Sequence, residues 1–140
     1  MQTKYFLALL CLFSTASCSD ESDDYQVSKL VSSKGDALYV KSYNWGVTGD
    51  KQISTISDNG DPLNFEEKDE PRVVKGLDPF IYRFEHDTLT IYSRTAINRF
   101  LVHCPSIVIQ YKHVDNPDYM DLCQLMGDKS YHLVPEYNKR

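Results

Sequence analysis

The run Phe80–Tyr92, FIYRFEHDTLTIY, constrains the fold more than any other stretch of the chain. Its two halves flank His86-Asp87. A two-residue turn there pairs Glu85 with Thr88, Phe84 with Leu89 and Tyr82 with Ile91. Because strand side chains alternate, Tyr82, Phe84, Leu89 and Ile91 then share one face and Arg83, Glu85, Thr88 and Thr90 the other. The pattern predicts an antiparallel hairpin with one buried face, which needs a second layer to cover it. The turn lacks the Asn-Gly or Asp-Gly pair that such hairpins favour.

Other β-type runs surround it. Ala37–Tyr43 and Lys51–Ser57 are rich in strand formers, and Asn59-Gly60-Asp61-Pro62 is a strong turn signal between periodic segments. Glu66–Glu70 reads as a charged loop and Arg72–Lys75 as a short strand closed by Gly76. Arg99–Cys104 and Ser106–His113 form a further candidate pair, broken by Pro105. Asn116-Pro117 then opens a different period: Asn116 suits a helix N-cap, Pro117 the first helical position, and Asp118 and Asp121 the early turns. Tyr119, Leu122, Cys123 and Met126 recur at helical spacing, Gly127 suits a C-terminal cap, and Ser130–Val134 fits a last strand. The expected fold is mainly β: an antiparallel sandwich or small barrel of about seven or eight strands, with one short helix in the C-terminal half. Strictly alternating βα units are absent, which argues against a doubly wound sheet. With 140 residues, one domain is expected, placed at residues 28–140.

The N-terminus carries an address. Lys4 precedes Tyr5–Phe13, YFLALLCLF, an apolar run of nine residues. That is too short to span a bilayer, which takes about 20 residues, and has the length of a signal-peptide core. Small residues follow, and Thr15-Ala16-Ser17-Cys18 resembles the lipobox of bacterial lipoproteins, with Thr15 where Leu is usual. The resemblance implies that residues 1–17 are removed and that Cys18, whose thiol takes the diacylglycerol, becomes the lipidated N-terminus. The alternative is ordinary secretion, cleaved after Ala16 or Ser17 without lipid. Ser19-Asp20-Glu21-Ser22-Asp23-Asp24 resembles the surface-export signal of Bacteroidota lipoproteins, and its like charges also suit an extended linker. Residues 18–27 are therefore expected to be a lipidated, acidic tether. The implied location is the cell envelope, at the outer membrane and facing the surface, with the membrane reached through the lipid on Cys18.

Charge narrows the partner classes. The chain totals −5, but from Tyr25 onward 14 basic residues stand against 16 acidic ones. This near-neutral mixture has no Lys/Arg stripe and no basic clusters interleaved with Tyr, so no nucleic-acid partner is expected.

The chemistry-bearing residues form few constellations. Once Cys11 leaves with the leader and Cys18 carries lipid, Cys104 and Cys123 remain as an even pair. In an oxidising compartment they are expected to form a disulfide. Closing a 20-residue loop, it would stabilise the chain by roughly 3 kcal/mol. The alternative is two thiols packed as small apolar groups. His86, His103, His113 and His132 show no metal-ligand spacing, and His103 and Cys104, as strand neighbours, point to opposite faces. Asp58-Asn59-Gly60-Asp61 shares only a few residues with a calcium loop and reads as a turn. No metal or cofactor is expected. The stretch from Tyr43 to Asp50 reads as a loop holding the only Trp. Exposed, Trp45 and its neighbour Tyr43 would anchor a partner. Buried, Trp45 caps the core, the preferred reading for a small sheet protein that needs large side chains. No Gly-x-Ser-x-Gly or other catalytic motif occurs. The expected function is a non-enzymatic, lipid-anchored binding or accessory module. The alternatives are an envelope inhibitor or immunity-type protein that binds one protein partner, and last a small hydrolase or metal-dependent enzyme.

Overall fold

A computed structural model of the chain describes residues 24–45, 51–63, 74–75, 79–95, 102–127 and 130–136. The elements run β1 (Asp24–Val31), β2 (Ala37–Trp45), β3 (Lys51–Ser57), β4 (Val74–Lys75), β5 (Phe80–Glu85), β6 (Thr88–Ser93), β7 (Val108–His113), α1 (Asn116–Gln124), a 3-10 turn (Leu125–Gly127) and β8 (Tyr131–Val134). They form two four-stranded sheets, β1-β2-β3-β4 and β7-β6-β5-β8. Among the described residues the fold is a mostly β sandwich with one short helix, and the strands stay in two sheets and do not close into a barrel.

The central hairpin has the register its alternation predicts: Glu85 faces Thr88, Phe84 faces Leu89 and Tyr82 faces Ile91. Its turn reaches the left-handed region without glycine, at His86 (φ 48°) and Asp87 (φ 56°). Positive φ at both central residues matches the strand twist, and Asp tolerates that conformation better than most side chains. The Asp87 carboxylate also accepts hydrogen bonds from the Ser33 backbone N–H (2.7 Å) and from the Ser33 hydroxyl. These bonds hold its carboxyl below the usual carboxylate range, the hydroxyl bond contributing most. Ser33 lies in the β1–β2 turn, where Gly35 takes φ +94°, a value that favours glycine. In the same turn the Ser32 hydroxyl meets that of Ser106 (2.7 Å), which in turn donates to the Asp36 carboxylate. One end of the sandwich is thus clasped by polar bonds between turns of opposite sheets.

The core lies between the sheets. Leu38, Val40 and Ile56 from one sheet meet Phe80, Tyr82, Leu89, Ile91 and Val134 from the other, with Cys104 and Ile107 filling in from the connection before β7. Each fully buried aliphatic side chain here stabilises the fold by about 1.5–3 kcal/mol.

Several sequence expectations change. Strand β1 begins at Asp24, so the last residues assigned to the tether, 24–27, belong to the domain. Pairing with β2 from Ala37 to Asn44 supplies what the polar residues of β1 lack in intrinsic strand preference. Strand β7 pairs with β6 in parallel, not with residues 99–104. Residues 102–104 are not strand, and 99–101 lie outside the described residues. The 14-residue connection from Arg94 to Ile107 is long enough for the crossover that a parallel pair requires. The helix starts one residue earlier than expected. Asp115 is its N-cap, accepting from the Asp118 N–H, and Asn116 is its first residue. Leu125 caps the other end, ahead of the 3-10 turn that reaches Gly127. The charged loop at Glu66–Glu70 lies outside the described residues.

The expected disulfide is not formed: Cys104 and Cys123 are free thiols. Cys104 packs into the inter-sheet core as a small apolar group, whereas Cys123 sits half-buried on α1. Burial pushes the Cys123 thiol above its usual range, partly countered by the positive charge of Arg94.

Candidate functional site

The end opposite the turn clasp is built differently. Following the register of the first sheet, Gln26, Ser28 and Leu30 of β1 share a face with Leu38, Val40 and Ser42 of β2 and with Ser54 and Ile56 of β3. The face is apolar toward the clasp and polar toward the other end, where Ser42, Ser54 and Gln52 are all buried. Gln52 donates to the Ser54 hydroxyl at 3.0 Å. Polar side chains here face inward, where a sandwich of this kind normally places apolar ones.

At this end the two sheets part. Strand β1 is one edge of the first sheet and β8 one edge of the second. The pairings make β1 and β8 antiparallel across the seam between the sheets. A cleft of about 250 Å³ opens there, lined by Gln26, Val27 and Ser28 of β1, Val40 and Ser42 of β2, Tyr82 of β5, and Leu133, Val134 and Glu136 along β8 and its continuation.

Gln26 bridges the seam. Its amide nitrogen donates to the Glu136 carbonyl (3.0 Å), and its amide oxygen accepts the Glu136 backbone N–H (2.9 Å). A side-chain amide here makes the donor-acceptor pair that a neighbouring strand would make.

Tyr82 contributes a hydroxyl to the cleft from the second sheet. The residue is 3% exposed, and Ser28 lies across the inter-sheet gap beside its hydroxyl. Burial raises its ionisation above the usual tyrosine range; the Ser28 hydroxyl opposes this and the Glu136 carboxylate adds to it. The His132 ring stacks on Tyr82 with centroids 5.0 Å apart, and its Nδ1 lies 3.8 Å from a Glu136 carboxylate oxygen. Both groups are substantially exposed, so the contact contributes little to stability. The cleft thus presents three hydroxyls, one carboxamide and, at its rim, a carboxylate and a stacked imidazole. Chemically, these groups are hydrogen-bond donors and acceptors. Among the described residues no group of three or more His, Cys, Asp or Glu could hold a metal ion.

The sequence-selected residues lie elsewhere. Cys18 is outside the described residues. Tyr43 and Trp45 belong to β2 itself and not to a loop: Tyr43 is half-buried between Tyr25 and Ile53 in the register, and Trp45 closes the strand opposite Lys51. The side chain of Trp45 is outside the described residues. His86 is a turn residue as expected, His103 and His113 are exposed, and only His132 adjoins the cleft. The Asp58–Asp61 segment is a turn, and an internal cation fills its oxygens. The Lys41 ammonium donates to Asn59 Oδ1 (2.9 Å) and to the Asp61 carbonyl. Sequence reasoning missed Gln26, Ser28, Ser42, Tyr82 and Glu136 as a group. The available signal was Ser42 and Ser54 alternating in phase with Val40 and Ile56, which puts polar groups on a core-facing side.

A second surface lies on the outer face of β7-β6-β5-β8. Arg83 stacks on Tyr131 (5.2 Å to the centroid) and pairs with Glu85, Lys112 sits over Tyr92 (5.5 Å), and the Tyr92 and Tyr131 rings lie 6.0 Å apart. Val108 is exposed on the same face. No protein-family model, curated protein or solved structure matches the chain.

Proposed function

We propose that this protein is a lipid-anchored module of the bacterial cell envelope that binds a partner and performs no chemistry on it. The observation that carries the reading is the seam cleft, whose groups form hydrogen bonds and whose edges are the backbones of two strands. The leader-like run before Cys18 supports the anchor. Only five residues separate Cys18 from the start of β1. Fully extended, they reach about 17–18 Å, so a lipid on Cys18 holds the cleft-lining strand close to the membrane surface. No described helix is long and apolar enough to cross a membrane.

Two measurements test this. In cells fed labelled fatty acid, the native protein is expected to take up label and fractionate with membranes, and Cys18→Ala to lose both. Unchanged membrane association of Cys18→Ala would sink the anchor. Crosslinking in intact cells is then expected to join the native chain to an envelope component. The second reading, an inhibitor or immunity-type protein with one tight protein partner, is favoured by the Tyr92–Tyr131–Arg83 surface, since Tyr and Arg are enriched at binding hot spots. A single stoichiometric crosslinked protein, lost with Tyr131→Ala and retained with Val27→Lys, would select it.

A further inference from the structure

The cleft is small for a cofactor or drug-sized ligand: about 250 Å³ lies below the roughly 300–1,000 Å³ of such sites. It is the size of one or two side chains. Its walls matter more than its volume, because strands from opposite sheets bound it on both sides. Among the described residues β1 pairs only with β2, and β8 only with β5. At eight residues β1 is a long edge strand. Edge strands are usually shortened, charged or broken to prevent further pairing. Here Lys29 is flanked on the same face by Val27 and Val31, both about half exposed. Strand β8 is blunted after four residues by Pro135.

Gln26 supplies the independent observation. Its carboxamide occupies both hydrogen-bonding positions of Glu136 that point into the seam. A side-chain amide in that place mimics the main-chain amide of an added strand, and an extended peptide carries the same pair repeatedly along its length.

We infer that the seam is a receptor for an extended polypeptide segment of a partner protein, which adds alongside β1 and displaces the Gln26 amide. This deepens the binding-module reading above and rests on it. Strand addition takes affinity from main-chain hydrogen bonds and specificity from pockets for alternate side chains. The pocket here has Ser28, Ser42 and the Tyr82 hydroxyl around a floor of Val40, so the inward-pointing residue of the segment is small and hydrogen-bonding, of the Ser, Thr or Asn type. Gln26 acts as a latch: it satisfies Glu136 while the site is empty and competes with the incoming strand.

The test uses the purified full-length chain in detergent. Twelve-residue peptides displayed on phage are selected against it, and an enriched peptide is synthesised, titrated by calorimetry and mapped by amide hydrogen exchange. Slowed exchange is expected along Val27–Lys29 and Leu133–Glu136. Removing the latch enlarges the binding-competent fraction, so Gln26→Ala is expected to tighten binding about fivefold. Val27→Lys, at an exposed position that leaves the core intact, is expected to weaken it about tenfold. Four results each overturn the proposal: no enrichment above an unrelated lipoprotein, protection mapping to the Tyr92–Tyr131 face, weaker binding by Gln26→Ala, or self-association of the chain that Val27→Lys abolishes. None of these bears on the anchor, and loss of the anchor in Cys18→Ala leaves the peptide titration readable.

Discussion

Lys41 sits in the middle of the first sheet with its side chain 3% exposed, and its ammonium ends in the oxygens of the 58–61 turn. The structure sets how much that ammonium contributes. Hydrogen bonds from a charged donor are worth about 1.5–3 kcal/mol each. Against the two described bonds stands the desolvation of the ammonium, itself several kcal/mol. Asn59 and Asp61 are exposed, so water can satisfy their oxygens once the ammonium is gone. Lys41→Met keeps most of the stem and removes only the head. The net cost is then about 1–2 kcal/mol, the remainder after the desolvation penalty is returned. Lys41→Ala also deletes the stem from a buried position, and the cavity brings its cost to about 3 kcal/mol. Urea unfolding followed by far-ultraviolet circular dichroism measures both. The expected order of midpoints is native, then Met, then Ala, with unchanged slopes. A Lys41→Met midpoint equal to or above the native one would show that the ammonium only breaks even against its desolvation and does not pin the turn to β2.

The remaining predictions concern the clasp, the tyrosines, the core and the thiols. The Asp87 carboxyl is held low by Ser33, so its contribution to stability is present above the ordinary carboxylate range of about 4 and is lost as pH falls through its lowered value. Asp87→Asn is expected to flatten the fall in unfolding midpoint below pH 5, and an unchanged pH profile would refute the clasp. Burial raises the ionisation of Tyr82 and Tyr92, so both favour the folded state until pH climbs past about 10. An ultraviolet titration is expected to show a late phenol fraction that shrinks in Tyr82→Phe, and one uniform step would contradict it. Leu89, fully buried between the sheets, is expected to cost about 3–4 kcal/mol as Leu89→Ala by thermal unfolding; a loss under 1 kcal/mol would place it outside the core. Cys123 is expected to label slowly in the unreduced native protein and Cys104 only on unfolding. Failure of either thiol to react in unreduced denaturant would restore the disulfide.

The parts of the fold that were legible in the sequence are those where one side chain answers to one neighbour. Phe84 opposite Leu89 and Tyr82 opposite Ile91 follow from alternation and a two-residue turn, even though His86 and Asp87 are not the favoured turn pair. Lys51–Ser57 was legible as a strand but not for its faces, because Ile53 and Ile56 are three apart and lie on opposite sides, both buried. Strand β1 was not legible. Only Leu30 on it packs against the core, while Gln26 and Ser28 turn the same way into the seam. Nor was the parallel placement of β7, which depends on a crossover whose path local preference does not set.

The candidate site lies where these failures coincide. A period-two reading assumes that an inward face is apolar. Ser28, Ser42, Ser54 and Gln52 break that assumption at the one end where the sheets part. Burying such groups costs free energy unless each finds a partner, and partners come from the same sheet, as Gln52 does for Ser54, from the opposite sheet, or from whatever enters the seam. Gln52 meets Ser54, Tyr82 lies against Ser28, and Gln26 meets the backbone of Glu136. The polar interior is therefore stable without a ligand, but the Gln26 bonds cross a gap between strand edges. An incoming strand can exchange them one for one, which an apolar seam would not permit.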